Sequence, residues 1–138
     1  MSKPYILEDN VGFILRQVTQ RHVAIFAEQM PDELTPTQFS ALVKLHEHGR
    51  VAQTQLGRLT AMDAATIKGV VDRLAKRGLV TQERDPADGR MLILSLTSAG
   101  SAMVRRALPV AARITRDTLA PLGEDEQQTL LAFLRRLM

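Results

Sequence analysis

One face of a predicted helix over residues 64–76 carries side chains that can bind a polyanion. An apolar stripe runs along the opposite side, at about 100° per residue, through Ile67, Val71 and Leu74. Lysine and arginine donate to phosphates and base edges, and small residues leave no bulk to hold a helix off a surface. This pattern favours a helix in the major groove of DNA, although an ordinary solvated helix face is similar in composition. The residues concerned are Ala64, Ala65, Thr66, Lys68, Gly69, Arg73 and Lys76.

A charged hairpin is predicted directly after this helix. Two strand-like runs, residues 79–84 and 91–96, are joined by a turn rich in Asp, Pro and Gly. Arg84 and Arg90 flank the turn, and an arginine at such a tip fits the narrow minor groove, where the negative potential is enhanced. Asp88 has the spacing to hold Arg90 by a charge-assisted bond, although Asp-x-Arg is also common in surface turns.

The elements that position these side chains form a winged helix-turn-helix. Residues 53–60 predict a short helix in which Gly57 leaves room for the next helix to cross closely. Asp63 then caps the second helix, because its carboxylate can accept from backbone N–H groups of the first turn. Polar residues near the starts of two earlier helices complete the predicted DNA-binding set, namely Thr37, Gln53 and Thr54.

Helices with broad apolar surfaces flank this centre. Residues 9–29 predict one, and residues 98–120 predict another with a kink or break near Pro109. We expect residues 1–34 and 98–138 to form dimerisation helices and residues 35–97 to form the DNA-binding lobe, in one continuous, mainly α domain with a small β-hairpin. A two-fold homodimer would present its recognition helices about 34–36 Å apart. Burial of the first helix within its own domain is the alternative.

Composition narrows the class of protein. The 138 residues carry a formal net charge of +3, too small an excess to establish a nucleic-acid partner alone. Absence of cysteine excludes disulfides and thiolate metal sites. No run approaches the roughly 18 apolar residues of a membrane span, and the first residues lack the apolar core of a signal peptide. We therefore expect a cytoplasmic protein with no membrane partner.

Catalytic and metal-binding chemistry is not predicted. No nucleophile lies beside a base, and the acidic residues fall at caps, turns and helix ends. His46 and His48 are two apart on a helix, about 200° around its axis, so they cannot share one metal ion. The sequence therefore predicts neither an enzyme nor a cofactor.

The chain resembles the MarR family of bacterial transcriptional regulators over nearly its whole length. The segment Asp88–Gly100 matches the family's wing signature, Asp-x-Arg followed by a strand and Leu-Thr-x-x-Gly. The segment Leu74–Val80 matches the end of the recognition helix. The resemblance makes Arg90 the minor-groove arginine and Asp88 its positioning partner. In the turn, Ala61-Met62-Asp63 replaces the frequent Gly-Val-Ser, so Ala61 must avoid or tolerate a positive φ.

The resemblance also implies a regulatory mechanism. It implies a homodimeric repressor, less often an activator, that binds a pseudo-palindromic operator. Release would follow binding of a small anionic, often aromatic, ligand between the dimerisation layer and the DNA-reading lobes, by a shift in the population of lobe spacings. A DNA-binding or architectural protein that needs no ligand is the alternative.

Two residues of the first helix are candidates for the ligand site. Arg16 can clamp a carboxylate, and His22 can bond a phenolic oxygen. We expect these two side chains to bind an aromatic acid. Alternatively, Arg16 is a surface residue in an ion pair and His22 lies at the edge of the core.

Overall fold

The computed structural model describes residues 2–138, so Met1, the first residue of the segment expected to dimerise, lies outside the described residues. Within them, six α-helices and three short strands confirm the predicted mainly α fold. Short 3₁₀ turns, Leu7–Asp9 and Pro31–Glu33, precede the first two helices. In chain order the elements are α1 (Val11–Gln29), α2 (Pro36–His48), β1 (Arg50–Ala52), α3 (Gln53–Leu59), α4 (Ala64–Lys76), β2 (Val80–Arg84), β3 (Leu92–Leu96), α5 (Ser98–Leu119) and α6 (Glu124–Arg136).

The described chain divides into two compact units. One contains α1, α6 and the part of α5 from Ala111 onwards, and the other runs from Met30 to Val110. The second unit therefore holds α2, α3, α4 and the sheet. The assignment of residues 1–34 and 98–138 to dimerisation, and of residues 35–97 to DNA binding, stays a prediction.

The α2 helix begins at a capping box formed by Thr35 and Gln38. The Thr35 hydroxyl accepts from the Gln38 N–H at 3.2 Å, and Gln38 Oε1 accepts from the Thr35 N–H at 3.3 Å. These reciprocal bonds satisfy two donors that the first turn would otherwise leave free. The helix then buries Leu42 and Leu45 against apolar side chains of the same unit. Other fully buried leucines there are Leu56 of α3, Leu74 of α4 and Leu94 of β3.

The sheet has three antiparallel strands in the order β1-β3-β2. The predicted hairpin is confirmed as β2 and β3, with Val80 opposite Leu96 and Arg84 opposite Leu92. The third strand, β1, pairs with the outer side of β3 and was not predicted from the sequence. Three residues are too few to show alternation, and their partner lies more than 40 residues further along the chain.

The start of α5 is fixed to the loop that follows α4. The Thr97 hydroxyl donates to the Gly78 carbonyl at 2.6 Å and accepts from the Gly100 N–H at 3.0 Å. A Cβ atom at position 100 would collide with the Leu79 carbonyl oxygen, so only glycine fits there. The Leu-Thr-x-x-Gly motif therefore packs the start of α5 against the loop that follows α4.

The α5 helix runs from Ser98 to Leu119 without the break expected at Pro109. A proline inside a helix removes one N–H donor and leaves the carbonyl four residues earlier without its partner. Here both Pro109 and Arg105 are exposed. The loss of this one hydrogen bond does not end a helix of 22 residues.

In the first unit, α1 holds the C-terminal end of α5. The Arg21 guanidinium donates to the Thr118 carbonyl at 2.8 Å and to the Asp117 carbonyl at 3.1 Å. The last carbonyls of a helix lack intrahelical donors and carry the negative end of its dipole, so a cation there is favourable. His22 Nδ1 lies 2.8 Å from the Thr118 hydroxyl.

Most of the apolar stripe of α1 remains exposed in the single chain. Val11, Leu15 and Val18 are 43–63% exposed, whereas Phe26 near the end of the helix is buried. Because this stripe is regular and apolar but not covered, burial within its own domain does not account for it.

Candidate nucleic-acid interface

The turn between α3 and α4 depends on one strained residue and one small residue. Ala61 has a φ of 55°, so the turn tolerates a positive φ rather than avoiding it. The Met62 N–H donates to the Gly57 carbonyl at 2.8 Å. A Cβ at Gly57 would lie 3.1 Å from the Met62 carbonyl oxygen and 3.3 Å from Ile67 Cγ2. This close approach confirms that a small residue is needed where the two helices cross.

Asp63 is the N-cap of α4, as predicted. Its carboxylate accepts from the Thr66 N–H at 2.7 Å. Hydrogen bonds from Thr66 hold the pKa of Asp63 below its ordinary value of 3.8. Asp63 is therefore charged near neutral pH and can only accept hydrogen bonds, so its side chain cannot donate to a phosphate.

The two faces of α4 separate as the sequence predicts. Ile67, Val71 and Leu74 are at most 2% exposed, so the apolar face is satisfied within the unit. None of the predicted DNA-binding residues of α4 is buried. Residues Ala64, Ala65, Thr66, Lys68, Arg73 and Lys76 are exposed, and Gly69 is half-buried. The helix therefore presents a face of donors and small side chains to solvent.

Two cations of this face lie along the helix surface. Lys68 Nζ is 2.7 Å from Asp72 Oδ2, one turn further along. The Arg73 guanidinium folds back over Gly69. A Cβ atom at position 69 would lie only 3.2 Å from Arg73 Nη1. Gly69 thus provides room for the Arg73 side chain. Its small size was predicted only to let the helix approach a surface closely.

At the wing tip the two predicted arginines are held differently. Arg84 Nη1 donates to the Gly89 carbonyl at 2.7 Å, so this guanidinium braces the turn. The Arg90 side chain is 97% exposed. Asp88 Oδ1 accepts from the Arg90 backbone N–H at 3.1 Å and lies 3.6 Å from Arg90 Nε. Asp88 therefore positions Arg90 mainly through the backbone, while the guanidinium projects outward.

The remaining predicted contacts lie at helix starts. Thr37 and Thr54 are exposed in the first turns of α2 and α3. Gln53 is half-buried, and its Oε1 has no hydrogen-bond partner among the described residues. Gln53 and Thr54 line a cleft of about 260 Å³ that also contains Arg58, an exposed cation that was not among the predicted residues.

A hydrogen-bonded network between α4 and β2 was also missed. Asp72 bonds Lys68 and accepts from Gln82 Nε2 at 3.0 Å. The pair at positions 68 and 72 has the i, i+4 spacing of a helical ion pair and was readable from the sequence. The contribution of Gln82 was not, because it depends on how the wing packs against the helix.

The two ligand candidates do not lie on one side of α1. They are six residues apart, which places them about 120° apart around the axis and about 9 Å apart along it. The Arg16 guanidinium lies 5.8 Å from the centroid of the Phe13 ring, and His22 bonds Thr118. Each therefore has a neighbour in the free chain, and their role toward a ligand stays a prediction.

Residues 2–138 contain no group of three or more His, Cys, Asp or Glu side chains placed to hold a metal ion. Across the same residues, no helix has the length and apolar character needed to span a membrane.

Comparison with known proteins identifies relatives of this chain. The model of the MarR family matches residues 34–92, which cover α2 to the start of β3. The HTH-type transcriptional repressor NicR of Pseudomonas putida is 40% identical over 136 residues, a match that covers 98% of this chain and 86% of NicR.

Two solved structures agree closely with the fold. A probable transcriptional regulator from Pseudomonas aeruginosa has a TM-score of 0.93 at 56% identity, covering 96% of this chain and 100% of that one. BpsR of Bordetella bronchiseptica, whose DNA binding is regulated by 6-hydroxynicotinic acid, has a TM-score of 0.92 at 38% identity. That match covers 98% of this chain and 97% of BpsR.

Proposed function

The chain belongs to the MarR family of transcriptional regulators, and from that premise we propose that it is a repressor. In this proposal, a homodimer binds a pseudo-palindromic operator and leaves it when a small aromatic acid binds. The relatives are transcriptional regulators, so the chain is a regulator and not an enzyme, as its sequence predicts.

The observation that carries the DNA-binding proposal is the paired exposure of α4 and the wing tip. The apolar side of α4 is buried, so its donors and small residues are left to face a partner. The Arg90 guanidinium projects from the same unit. A helix in the major groove and an arginine in the adjacent minor groove would use both features. Thr66 and Lys68 are assigned to base edges, and Arg90 to groove potential and backbone.

Support for a homodimer comes from α1. Its exposed stripe, Val11, Leu15 and Val18, is too apolar and too regular for a solvated face. A second copy of the same helix provides a complementary surface by symmetry. Two copies would also place two recognition helices on successive major grooves of one duplex face.

The effector class is proposed from the relatives. BpsR responds to 6-hydroxynicotinic acid, a heteroaromatic acid with a carboxylate and a hydroxyl group on its ring. Arg16 would bind such a carboxylate. His22 would bond the ring hydroxyl, after exchanging its bond to Thr118 for one to the ligand. Because the two residues are about 9 Å apart along α1 and about 120° apart around it, the long Arg16 side chain would have to turn toward His22 for both to reach one ligand. Calorimetry with Arg16→Ala tests this assignment. We expect a weaker affinity for an aromatic acid that binds the wild type, and an unchanged affinity would show that Arg16 does not bind it.

The experiment that tests the whole proposal is a mobility shift on the DNA upstream of the chain's own coding region. We expect a shift that specific unlabelled competitor removes and scrambled competitor leaves, and that millimolar 6-hydroxynicotinic acid or a related aromatic acid reverses. Absence of any shift would contradict the regulator proposal. A shift that no aromatic acid reverses would favour the ligand-independent alternative.

A further inference from the structure

One carboxylate joins the recognition helix to the wing. Asp72 Oδ2 accepts from Lys68 Nζ at 2.7 Å, and Asp72 Oδ1 accepts from Gln82 Nε2 at 3.0 Å. Lys68 and Asp72 belong to α4, whereas Gln82 belongs to β2. Both carboxylate oxygens are therefore occupied, each by a different element of the DNA-reading unit.

The network lies on the exposed face of the helix. The Lys68 and Asp72 side chains are 67% and 47% exposed. The hydrogen bonds from Lys68 and Gln82 lower the pKa of Asp72 below its ordinary value, so the carboxylate is charged near neutral pH. A permanent negative charge thus stands on the face that is proposed to approach a polyanion.

A negative charge in this place lowers affinity for any duplex, since it repels phosphates and compensates one lysine. An unrestrained lysine reaches phosphates along many paths and contributes equally to every sequence. A lysine held by a carboxylate one turn away keeps its ammonium group near one position, which suits a base edge at a fixed point in the groove.

We propose that Asp72 is a positioning residue that lowers affinity for DNA in general and raises discrimination between operator and other sequences. It does so by holding Lys68 at one point on the helix face, while the bond from Gln82 holds the Asp72 carboxylate in place. This inference rests on the proposed function, in particular on α4 as the recognition helix. An ordinary exposed ion pair, by contrast, would leave discrimination unchanged when it is removed.

The test compares two nearly isosteric substitutions that remove the same charge. Asp72→Asn removes the carboxylate of the network, and Glu83→Gln removes one on β2 whose nearest cation, Arg50 Nη2, is 3.9 Å away. Fluorescence anisotropy would measure binding of each variant to an operator duplex selected from the upstream DNA and to a scrambled duplex, across a series of salt concentrations.

We expect Asp72→Asn to bind the scrambled duplex about tenfold more tightly than the wild type at low salt. The slope of log affinity against log salt should steepen by roughly 0.9 for each lysine freed to contact phosphate. The ratio of operator affinity to scrambled affinity should fall by about tenfold, the discrimination expected from one side-chain contact to a base. Glu83→Gln should raise both affinities alike and keep the wild-type ratio.

A double-substitution cycle separates positioning from a structural effect. If Asp72 acts through Lys68, then the double variant Lys68→Ala/Asp72→Asn should have the same ratio of operator to scrambled affinity as Lys68→Ala alone. Gln82→Ala, which changes no charge, should lower the ratio to a smaller extent and provides the measurement should Asp72→Asn fail to fold.

Two outcomes overturn this inference. Either Asp72→Asn keeps the wild-type ratio and salt slope, or it lowers the ratio equally in the presence and absence of Lys68. Failure of the proposed function looks different, because the wild type would then bind operator and scrambled duplexes equally. Even in that case, an unchanged salt slope for Asp72→Asn on the scrambled duplex would exclude a restraint on Lys68.

Discussion

The helices α1 and α4 have the same kind of apolar spacing and opposite surroundings. In α4 the stripe through Ile67, Val71 and Leu74 is buried by its own unit. In α1 the stripe through Val11 and Val18 lies open in the single chain. Periodicity therefore indicates which side of a helix is apolar, but not which surface covers it.

The two helices therefore offer different surfaces to a partner. Because α4 is fixed by its apolar side, its polar side can be held still against DNA. Because the apolar side of α1 is uncovered, that side is available to a second copy. Substitutions on the two stripes should therefore have different consequences.

Leu74→Ala should lower the free energy of unfolding by about 2–5 kcal/mol, because it leaves a cavity beneath the recognition helix. Urea denaturation followed by far-UV circular dichroism measures this change. Val11→Ala, an aliphatic truncation on the exposed stripe of α1, is the comparison. It should cost far less at protein concentrations low enough that the chain is monomeric, because no second copy then covers Val11. Equal losses for the two variants would remove the distinction between the stripes.

Val18→Asp should weaken self-association on the order of a hundredfold, because the dimer would have to bury an unpaired charge. Analytical ultracentrifugation measures the association constant, and circular dichroism should show that helix content is kept. Gln20→Asp is the matched control, since Gln20 is exposed and lies about 160° around α1 from Val18. A Val18→Asp dimer as stable as the wild type would show that the α1 stripe has another partner.

Arg90→Ala should weaken binding to all duplexes by roughly tenfold and make the salt dependence shallower, because the contact is to groove potential and backbone. Arg50→Ala, which removes an exposed arginine at the start of β1, controls for net charge. The wing assignment fails if the two variants have the same affinity and salt slope.

Asp63→Ala should lower the Tm by about 4 °C at pH 7 through loss of the α4 cap. Because Thr66 holds the pKa of Asp63 below 3.8, the stabilisation is fully present above about pH 4 and is lost as the pH falls through the lowered value. The Tm difference between wild type and variant should therefore shrink in acid, as thermal scans from pH 7 to pH 2 would show. A difference independent of pH would assign the effect to something other than the carboxylate.

Local patterns account for what the sequence predicted. The cap at Asp63 depends on residues within one turn of the chain, and it forms as expected. The Asp88–Gly100 signature was informative because Thr97 and Gly100 have nearly unique packing requirements.

Features that depend on distant pairing were not predicted. The strand β1 exists because β3 offers it an edge, and the bond from Gln82 to Asp72 exists because β2 lies beside α4. Continuity of α5 through Pro109 was not predicted either, because the local rule for proline favours a kink or break there. Thus the predicted DNA-binding residues were all located outside the core, whereas the contacts that hold them in place required the structure.

The most direct test of two recognition units acting on one DNA duplex is hydroxyl-radical footprinting of the upstream DNA, combined with the mass of the complex. The account predicts two protected patches on one face of the duplex, centred about one helical turn or a whole number of turns apart, with two chains per duplex. A single protected patch with one chain per duplex would contradict it.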